Sequence, residues 1–360
     1  MFELTNEQRK CFGLVMVNEN WKRIEIKASP YDMFDTYAYC EDHVIRKCVT
    51  IGDEEYCEYE LCETISDDGK YLLPKTTKGK PVLFSSSNLL KRTALGMCLS
   101  YNRGYISLYN NSTQCAYYST AYEDSEVENI NEFEEWVKNW CAETSEMDIL
   151  DIENFAKQSR RHIKFNEGDV FRFKIDRRLY GYGRIILDYD KMRKRKEPFW
   201  DILMSKPLVC SVYHIATERK DVTIDELKNL KSLPSTIIAD NHLFYGQYEI
   251  IGNLPITENE DYPIMYGRSI SIGDNSLCFQ YGRIFKKIEN GKLLYDGCRN
   301  NSVSFSLNVR KKDFFDCIQA NSNEPYWKNY YKYSIHKDLR NPQFRKERKK
   351  IGKQMGIVLE

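Results

Sequence analysis

Four cysteines and a histidine lie close together in the first quarter of the chain, and these are side-chain types that bind zinc. They are Cys40, Cys48, Cys57 and Cys62, with His43 beside them. Structural zinc sites usually take their ligands in pairs two to four residues apart. Cys57 and Cys62 fall just outside that spacing, and on a strand they would point to opposite faces. Buried, reduced thiols are the alternative, and we predict a chain without bound metal or cofactor.

The five histidines do not fall in a motif typical of an enzyme. They are His43, His162, His214, His242 and His336. The sequence has no Gly-x-Ser-x-Gly, no His-Glu-x-x-His and no phosphate-binding loop. The pair Gly181-x-Gly183 lacks the third glycine and the following helix of a dinucleotide site. We therefore predict no catalytic residue and no enzymatic activity, with His214 a hydrogen-bonded core histidine.

Charge is divided unevenly along the 360 residues, although the formal net charge is zero. Residues 1–160 hold 17 Lys/Arg against 28 Asp/Glu, and residues 161–360 hold 36 against 25. Length and charge together predict two domains, an acidic one over 1–158 and a basic one over 159–360. No apolar run approaches the roughly 20 residues that span a bilayer, and the N-terminus has no apolar signal core. These features predict a cytoplasmic protein without a membrane partner.

Short strand-forming segments dominate both halves, which predicts an α+β protein, mostly antiparallel β with peripheral helices. In the first half we expect strands at 21–27, 36–40, 44–51, 56–64, 95–100, 105–109 and 114–119, and helices at 133–141 and 148–158. In the second half we expect strands at 170–175, 182–187, 207–216, 243–251, 269–272, 278–288 and 302–309. Capping boxes at Thr5 and Thr223 begin short helices. Residues 191–196 are predicted to form a basic loop, and 341–353 a basic terminal helix.

The segment from Phe165 to Leu187 predicts a β-hairpin with a polar turn at 176–178. Phe171 and Phe173 have the same parity and should face one side of their strand. Gly181 and Gly183 flank Tyr182, which indicates a bulge or a close backbone approach in the second strand.

The order of residues in this hairpin resembles the start of the immunity protein 26 family. The resemblance rests on Gly168-Asp169-Val170-Phe171 followed by Tyr182-Gly183-Arg184-Ile185, and it extends over about 163–270. Leu233-Pro234-Ser235, 243–252 and 262–267 come in the order expected of that family. The segments 2–10 and 338–342 are similar to its long, two-part members. The resemblance singles out Gly168, Asp169, Phe171, Tyr182, Gly183 and Arg184, which we interpret as structural residues.

Members of this family are antidotes encoded beside bacterial polymorphic toxins, so the resemblance implies an immunity protein that binds a cognate toxin. Acidic clusters would speed the capture of a basic toxin. The residues we predict for partner binding are Asp53, Glu54, Glu55, Glu58, Glu123, Asp124, Glu126 and Glu128; ordinary solvated loops are the alternative. A nucleic-acid-binding or regulatory β-rich module without a toxin partner is the second hypothesis. Nucleic acid is the less favoured partner, because the basic segments are isolated and the other half is acidic.

Overall fold

A computed structural model describes residues 2–26, 34–121, 123, 127–200, 206–269, 271–298, 303–334 and 336–359. Within these residues the chain has seventeen strands and ten α-helices, and all the strand pairs of its sheets are antiparallel. The predicted α+β class, mostly antiparallel β, is confirmed. The chain forms two compact units, Met1–Arg161 and His162–Glu360.

The first unit is built on one large sheet. Its strands are β1 (Lys22–Ile26), β2 (Phe34–Glu41), β3 (Val44–Gly52), β4 (Glu55–Ile65), β5 (Tyr71–Leu73), β6 (Val82–Leu83), β7 (Leu95–Asn102), β8 (Tyr105–Asn110) and β9 (Cys115–Ser119). Its helices are α1 (Asn6–Cys11), α2 (Ser86–Leu89), α3 (Ile130–Ala142) and α4 (Glu146–Ala156). The main path of the sheet runs β1-β2-β3-β4-β7-β8-β9, and β5 and β6 extend from β4.

Helix α3 covers one face of this sheet. Phe133, Val137 and Trp140 recur at helical spacing and are buried against the sheet, with the Phe133 ring stacked on Tyr101 at 4.9 Å. The helix begins where the side chain of Asn129 accepts hydrogen bonds from two backbone N–H groups of the first turn. The opposite face of the sheet carries a second cluster of buried side chains, so both faces are covered.

The second unit contains a five-stranded and a three-stranded sheet. Its strands are β10 (Asp169–Lys174), β11 (Tyr180–Asp188), β12 (Pro207–Thr217), β13 (Thr236–Ala239), β14 (Glu249–Asn253), β15 (Ile264–Arg268), β16 (Leu277–Tyr281) and β17 (Ile284–Ile288). Its helices are α5 (Tyr189–Lys194), α6 (Ile224–Leu227), α7 (Asn241–Phe244), α8 (Lys311–Ala320), α9 (Glu324–Tyr333) and α10 (Arg345–Met355). The sheets run β13-β12-β11-β10-β14 and β15-β16-β17.

Both predicted capping boxes are confirmed. Thr5 and Gln8 cap α1, and Thr223 and Glu226 cap α6, each by reciprocal bonds between side chain and backbone. Helix α6 ends at Leu227, three residues before the predicted end.

Some strand and loop predictions in the second half are wrong. Residues 191–194 are helical, because Asp188 accepts from the Lys191 N–H at 3.0 Å and starts α5, and only 195–196 lie in the turn that follows. The predicted strand 243–251 begins as part of α7, and the left-handed Gly246 turns the chain before β14. The segment 278–288 is two strands, because Gly282 has a φ of +53° and reverses the chain.

Two further predicted strands have no counterpart in the described residues. Ser269 lies in the turn after β15, where its N–H donates to the Ser276 carbonyl at 2.9 Å. Ser304 makes a single bridge to Ile238 instead of a ladder. The predicted terminal helix begins as a short 3₁₀ turn, Pro342–Phe344, capped by Asn341, and α10 follows it.

Candidate functional site

The hairpin of β10 and β11 has a specific cross-strand register. Phe171 lies opposite Gly183, and Phe173 lies opposite Gly181. Both phenylalanines are buried in one core cluster, whereas Val170 belongs to a different cluster on the other face, which confirms the predicted parity. Each aromatic ring therefore covers a glycine on the neighbouring strand, an arrangement that protects glycines in sheets. The two Phe residues and the two Gly residues therefore pack together on one face of the hairpin.

Gly183 sits where the backbone of a third strand approaches. A Cβ atom at this position would lie 2.6 Å from the Ser211 carbonyl oxygen and 2.6 Å from Cζ of Phe171. The register between β11 and β12 also shifts between Gly181 and Gly183. The predicted bulge and close backbone approach are both confirmed.

Gly168 and Asp169 form the tight entry into the hairpin. Gly168 has a φ of +89°, and a Cβ there would lie 2.9 Å from the Leu254 carbonyl oxygen. The Asp169 carboxylate accepts from the Asn166 N–H at 2.7 Å and from Nδ2 of Asn253 at 2.8 Å. These contacts join the start of β10 to the end of β14.

Tyr182 and Arg184 are both buried, and each binds a loop. The Tyr182 hydroxyl donates to the Arg219 carbonyl at 2.7 Å. The Arg184 guanidinium forms an ion pair with Glu260, and both side chains are at most 10% exposed. All six residues that the resemblance singled out are therefore buried. Their burial supports the interpretation that they hold the fold together.

Two distant segments that the resemblance included meet at Arg340. Its guanidinium donates to Asp338 and Asp261, each at 2.7 Å, and to the Ser235 carbonyl at 2.9 Å. The Ser235 N–H in turn donates to Asp261 at 2.8 Å. Arg340 thus links the Leu233-Pro234-Ser235 segment to the segment 338–342, although about a hundred residues separate them.

The structure brings some of the predicted acidic residues to one end of the large sheet. Asp53 lies between β3 and β4, and its carbonyl accepts from the Ile130 N–H at 3.0 Å, which places Glu128 nearby. Asp53, Glu54 and Glu128 are exposed, and Glu55 is half-buried. We call Asp53, Glu54, Glu55 and Glu128 the acidic end.

Tyr101 lies within electrostatic reach of the acidic end. Burial is the main cause that raises the pKa of its hydroxyl, a backbone hydrogen bond at Gly104 lowers it, and the carboxylates of Glu132, Glu54 and Glu128 add smaller increases. Arg103 forms an exposed ion pair with Glu54 at 3.0 Å. Glu123 is half-buried, and Asp124 and Glu126 lie outside the described residues.

The expectation that Glu58 is an exposed acid is wrong. Its side chain is fully buried, where Nε of Arg9 donates to it at 2.7 Å and the Tyr56 hydroxyl donates at 2.6 Å. Lys47 is also fully buried and forms an ion pair with the same carboxylate. Burial raises the pKa of Glu58, but the attraction of Lys47 and Arg9 outweighs it and the net pKa is lowered. A carboxylate held this way stabilises the unit and is not available to a partner.

The cysteines do not assemble the zinc site that their spacing raised as a possibility. Cys57 lies with its sulfur 3.7 Å from that of Cys98 on β7, whereas Cys62 is exposed. Among the described residues, no three His, Cys, Asp or Glu side chains converge as a metal site would require.

All twelve cysteines are free thiols, and eight of them are buried. Burial raises the pKa of Cys40 to about 11 and that of Cys48 to about 12, which suppresses the reactive thiolate. We expect iodoacetamide to modify Cys62 first in the native protein and all twelve cysteines after denaturation without reductant, as measured by mass spectrometry. Fewer than twelve modified cysteines, or stoichiometric zinc in the purified protein, would contradict this expectation.

Two histidines, one buried and one half-buried, have structural partners. Nε2 of His214 is hydrogen-bonded to Asn323 at 2.9 Å, and Nδ1 of His242 to Gln247 at 3.0 Å. Burial lowers the pKa of both imidazoles. His214 is the hydrogen-bonded core histidine that the sequence predicted.

The described helices include none that is both long and apolar enough to cross a lipid bilayer. The fold defines an α+β protein whose hairpin motif is built into its core. Residues 166–278 match the family model described as Immunity protein 26, which confirms the resemblance over that segment. No curated protein and no solved structure matches the chain.

Proposed function

We propose that this protein is an immunity protein that binds a cognate bacterial toxin and neutralises it by protein–protein contact. The observation that carries the proposal is the match of residues 166–278 to the immunity protein 26 family, whose name indicates immunity against toxins. The buried ion pairs and hydrogen-bonded histidines support a role as a rigid binding scaffold without catalysis. The free cysteines support a reducing, cytoplasmic location.

We propose that the two domains contribute differently to toxin binding. The β-rich domain, 159–360, carries the family match and the buried motif. The acidic domain, 1–158, carries the acidic end, of which Asp53, Glu54 and Glu128 are exposed and can face a basic surface. We propose that the acidic end captures the toxin, because electrostatic attraction accelerates association between oppositely charged surfaces.

The direct test is neutralisation in cells. The toxin domain encoded in a neighbouring reading frame is expressed in a bacterial host, with and without this protein. We expect growth to be rescued only in the presence of the immunity protein, and the two purified proteins to elute as one stoichiometric complex. A toxin domain that kills equally well with and without it, and that forms no complex with it, would refute the proposal.

Reversing charge at the acidic end is expected to slow association with the toxin. In the variant Asp53→Lys/Glu128→Lys we expect the association rate to fall about tenfold or more at low salt, because the attraction that steers the encounter is lost. Stopped-flow fluorescence at two ionic strengths measures this rate. The wild-type rate should fall with salt, and the variant's rate should depend on salt much less.

A matched control is available at the other end of the sheet. Glu19 precedes β1 and Asp67 follows β4, and both are exposed. Since β4 is eleven residues long, Asp67 lies about 30 Å from the acidic end. The variant Glu19→Lys/Asp67→Lys changes the net charge equally and should leave most of the association rate intact. Equal slowing by both variants would indicate a net-charge effect and remove the acidic end as the capture surface.

A further inference from the structure

Helix α10 has two chemically different faces. Ile351, Gly352 and Met355 are buried and pack into the core of the second unit. The other side of the helix carries five exposed basic residues, Arg345, Lys346, Lys349, Lys350 and Lys353. We call these five residues the basic face. Successive bases at i and i+4 lie about one helical turn apart, so they form two short rows over about 12 Å.

The basic face has no charge partner within the described part of the protein. None of its five residues forms an ion pair with another described residue, in contrast to Lys194 on α5, which pairs with Asp190. Arg348, on the same helix, has its pKa lowered by burial and then by repulsion from Arg345. Five like charges held this close repel one another, since their spacing is within the roughly 8 Å screening length of physiological salt.

We infer that the basic face of α10 binds the phosphate backbone of duplex nucleic acid. The two rows of cations complement the regularly spaced negative charges of a nucleic-acid backbone. The face has no aromatic or apolar anchor, and four of its five residues are lysine, a residue depleted in protein interfaces. It also has no aromatic side chain on which an unpaired base could stack, as single-strand binders use. A membrane-surface helix needs an exposed apolar side, and the apolar side of α10 is already buried.

This inference does not depend on the proposed function, because it concerns a different surface. A toxin could bind the acidic end whether or not α10 binds nucleic acid. Neutralisation and nucleic-acid binding are therefore measured separately, and failure of one leaves the other standing.

Fluorescence anisotropy with a labelled 20-base-pair DNA duplex tests the inference. The wild-type protein should bind with an affinity that falls steeply between 50 and 200 mM NaCl. If all five bases engage, the slope of log K against log salt is about −4.5. The variant Lys346→Gln/Lys349→Gln/Lys350→Gln should bind at least tenfold more weakly at 50 mM NaCl, with a slope smaller by about 3 units. Glutamine preserves helix propensity, so the melting temperature should not change.

The control removes the same charge from the first unit. Lys75, Lys78 and Lys80 are exposed and lie in one loop. Their triple Lys→Gln variant should bind the duplex like the wild type. Equal weakening by both triple variants, or no weakening by the α10 variant, would overturn the inference. So would tighter binding to a 20-nucleotide single-stranded RNA, or to phosphatidylserine vesicles with which the duplex does not compete.

A second measurement uses the unchanged protein. Lysine acetylation followed by mass spectrometry reports which amines the duplex protects. Protection of Lys346, Lys349, Lys350 and Lys353, with none at Lys75, Lys78 or Lys80, is the expected pattern. Unprotected α10 lysines at saturating duplex would overturn the inference even if the variants were unstable.

Discussion

Replacing Glu58 by glutamine is expected to destabilise the first unit by about 3–5 kcal/mol. The carboxylate neutralises Lys47 and Arg9, which are 0% and 4% exposed. Removing the negative charge leaves the buried Lys47 ammonium without its ion-pair partner and leaves Arg9 paired with Glu3 alone, and the amide cannot accept as many charged hydrogen bonds. Urea unfolding of the variant, followed by fluorescence, measures the loss.

The same network should make the unit sensitive to acid. The pKa of Glu58 is lowered in the folded state relative to its ordinary value of 4.5. The folded state therefore binds its proton less readily than the unfolded state, and the ion pairs contribute fully only above pH 4.5. That contribution is lost as pH falls from about 4.5 through the lowered pKa. In the Glu58→Gln variant, the free energy of unfolding should lack this loss as the pH falls.

A neighbouring carboxylate provides the control for Glu58. Glu55 begins the same strand but is only half-buried, and it accepts from Nδ2 of Asn102 at 3.2 Å. Glu55→Gln should cost less than about 0.5 kcal/mol, as surface substitutions usually do. If the two variants unfold at the same urea concentration, the Glu58 network does not stabilise the unit as argued.

Gly183→Val is expected to destabilise the second unit by about 1–3 kcal/mol, at the upper end of that range. The new Cβ would meet both the Phe171 ring and the Ser211 carbonyl oxygen at 2.6 Å. The ring is part of a packed core and the carbonyl belongs to β12, so neither moves without disturbing other contacts. The midpoint of urea unfolding measures the effect.

Gly181 is the matched position for this prediction. A Cβ there would contact only the tips of side chains, Cζ of Phe173 at 2.6 Å and Cδ1 of Ile175 at 3.0 Å. Side chains shift more easily than backbone, so Gly181→Ala should cost less than Gly183→Ala. An unchanged unfolding midpoint for Gly183→Val would show that the approach of β12 is not as tight as its geometry indicates.

The sequence correctly predicts the helices and strands whose formation depends on interactions between residues close together in the chain. The Thr5 and Thr223 capping boxes, the apolar period of α3 and the β10–β11 hairpin all depend on residues within one or two turns or strands. No helix is predicted at α8, although Phe314, Cys317 and Ile318 fall at the helical spacing that would have indicated one. The segment 278–288 is predicted as one strand, because a single Gly282 is a weak signal for the turn that divides it.

Glu58 shows why the candidate site could be predicted only in part. Its sequence neighbours are acids, and acidic runs usually face solvent, but its partner Arg9 is 49 residues away on α1. Tyr56 lies on the same face of β4 as Glu58 and is fully buried. The alternation of side chains along the strand therefore indicates a buried position for Glu58, whereas the charge pattern indicates an exposed one. Pairing across long separations depends on the tertiary fold, and no local pattern specifies it.

Strand β11 has a consequence for how partner choice can diverge. All nine of its residues are buried, including Tyr182, Gly183 and Arg184, so none of them can touch another protein. This strand, which is part of the segment matched to the family, therefore carries no information about the identity of any partner. Two chains with the same hairpin can acquire unrelated specificities through surface substitutions alone, at no cost to the packing that makes the hairpin recognisable.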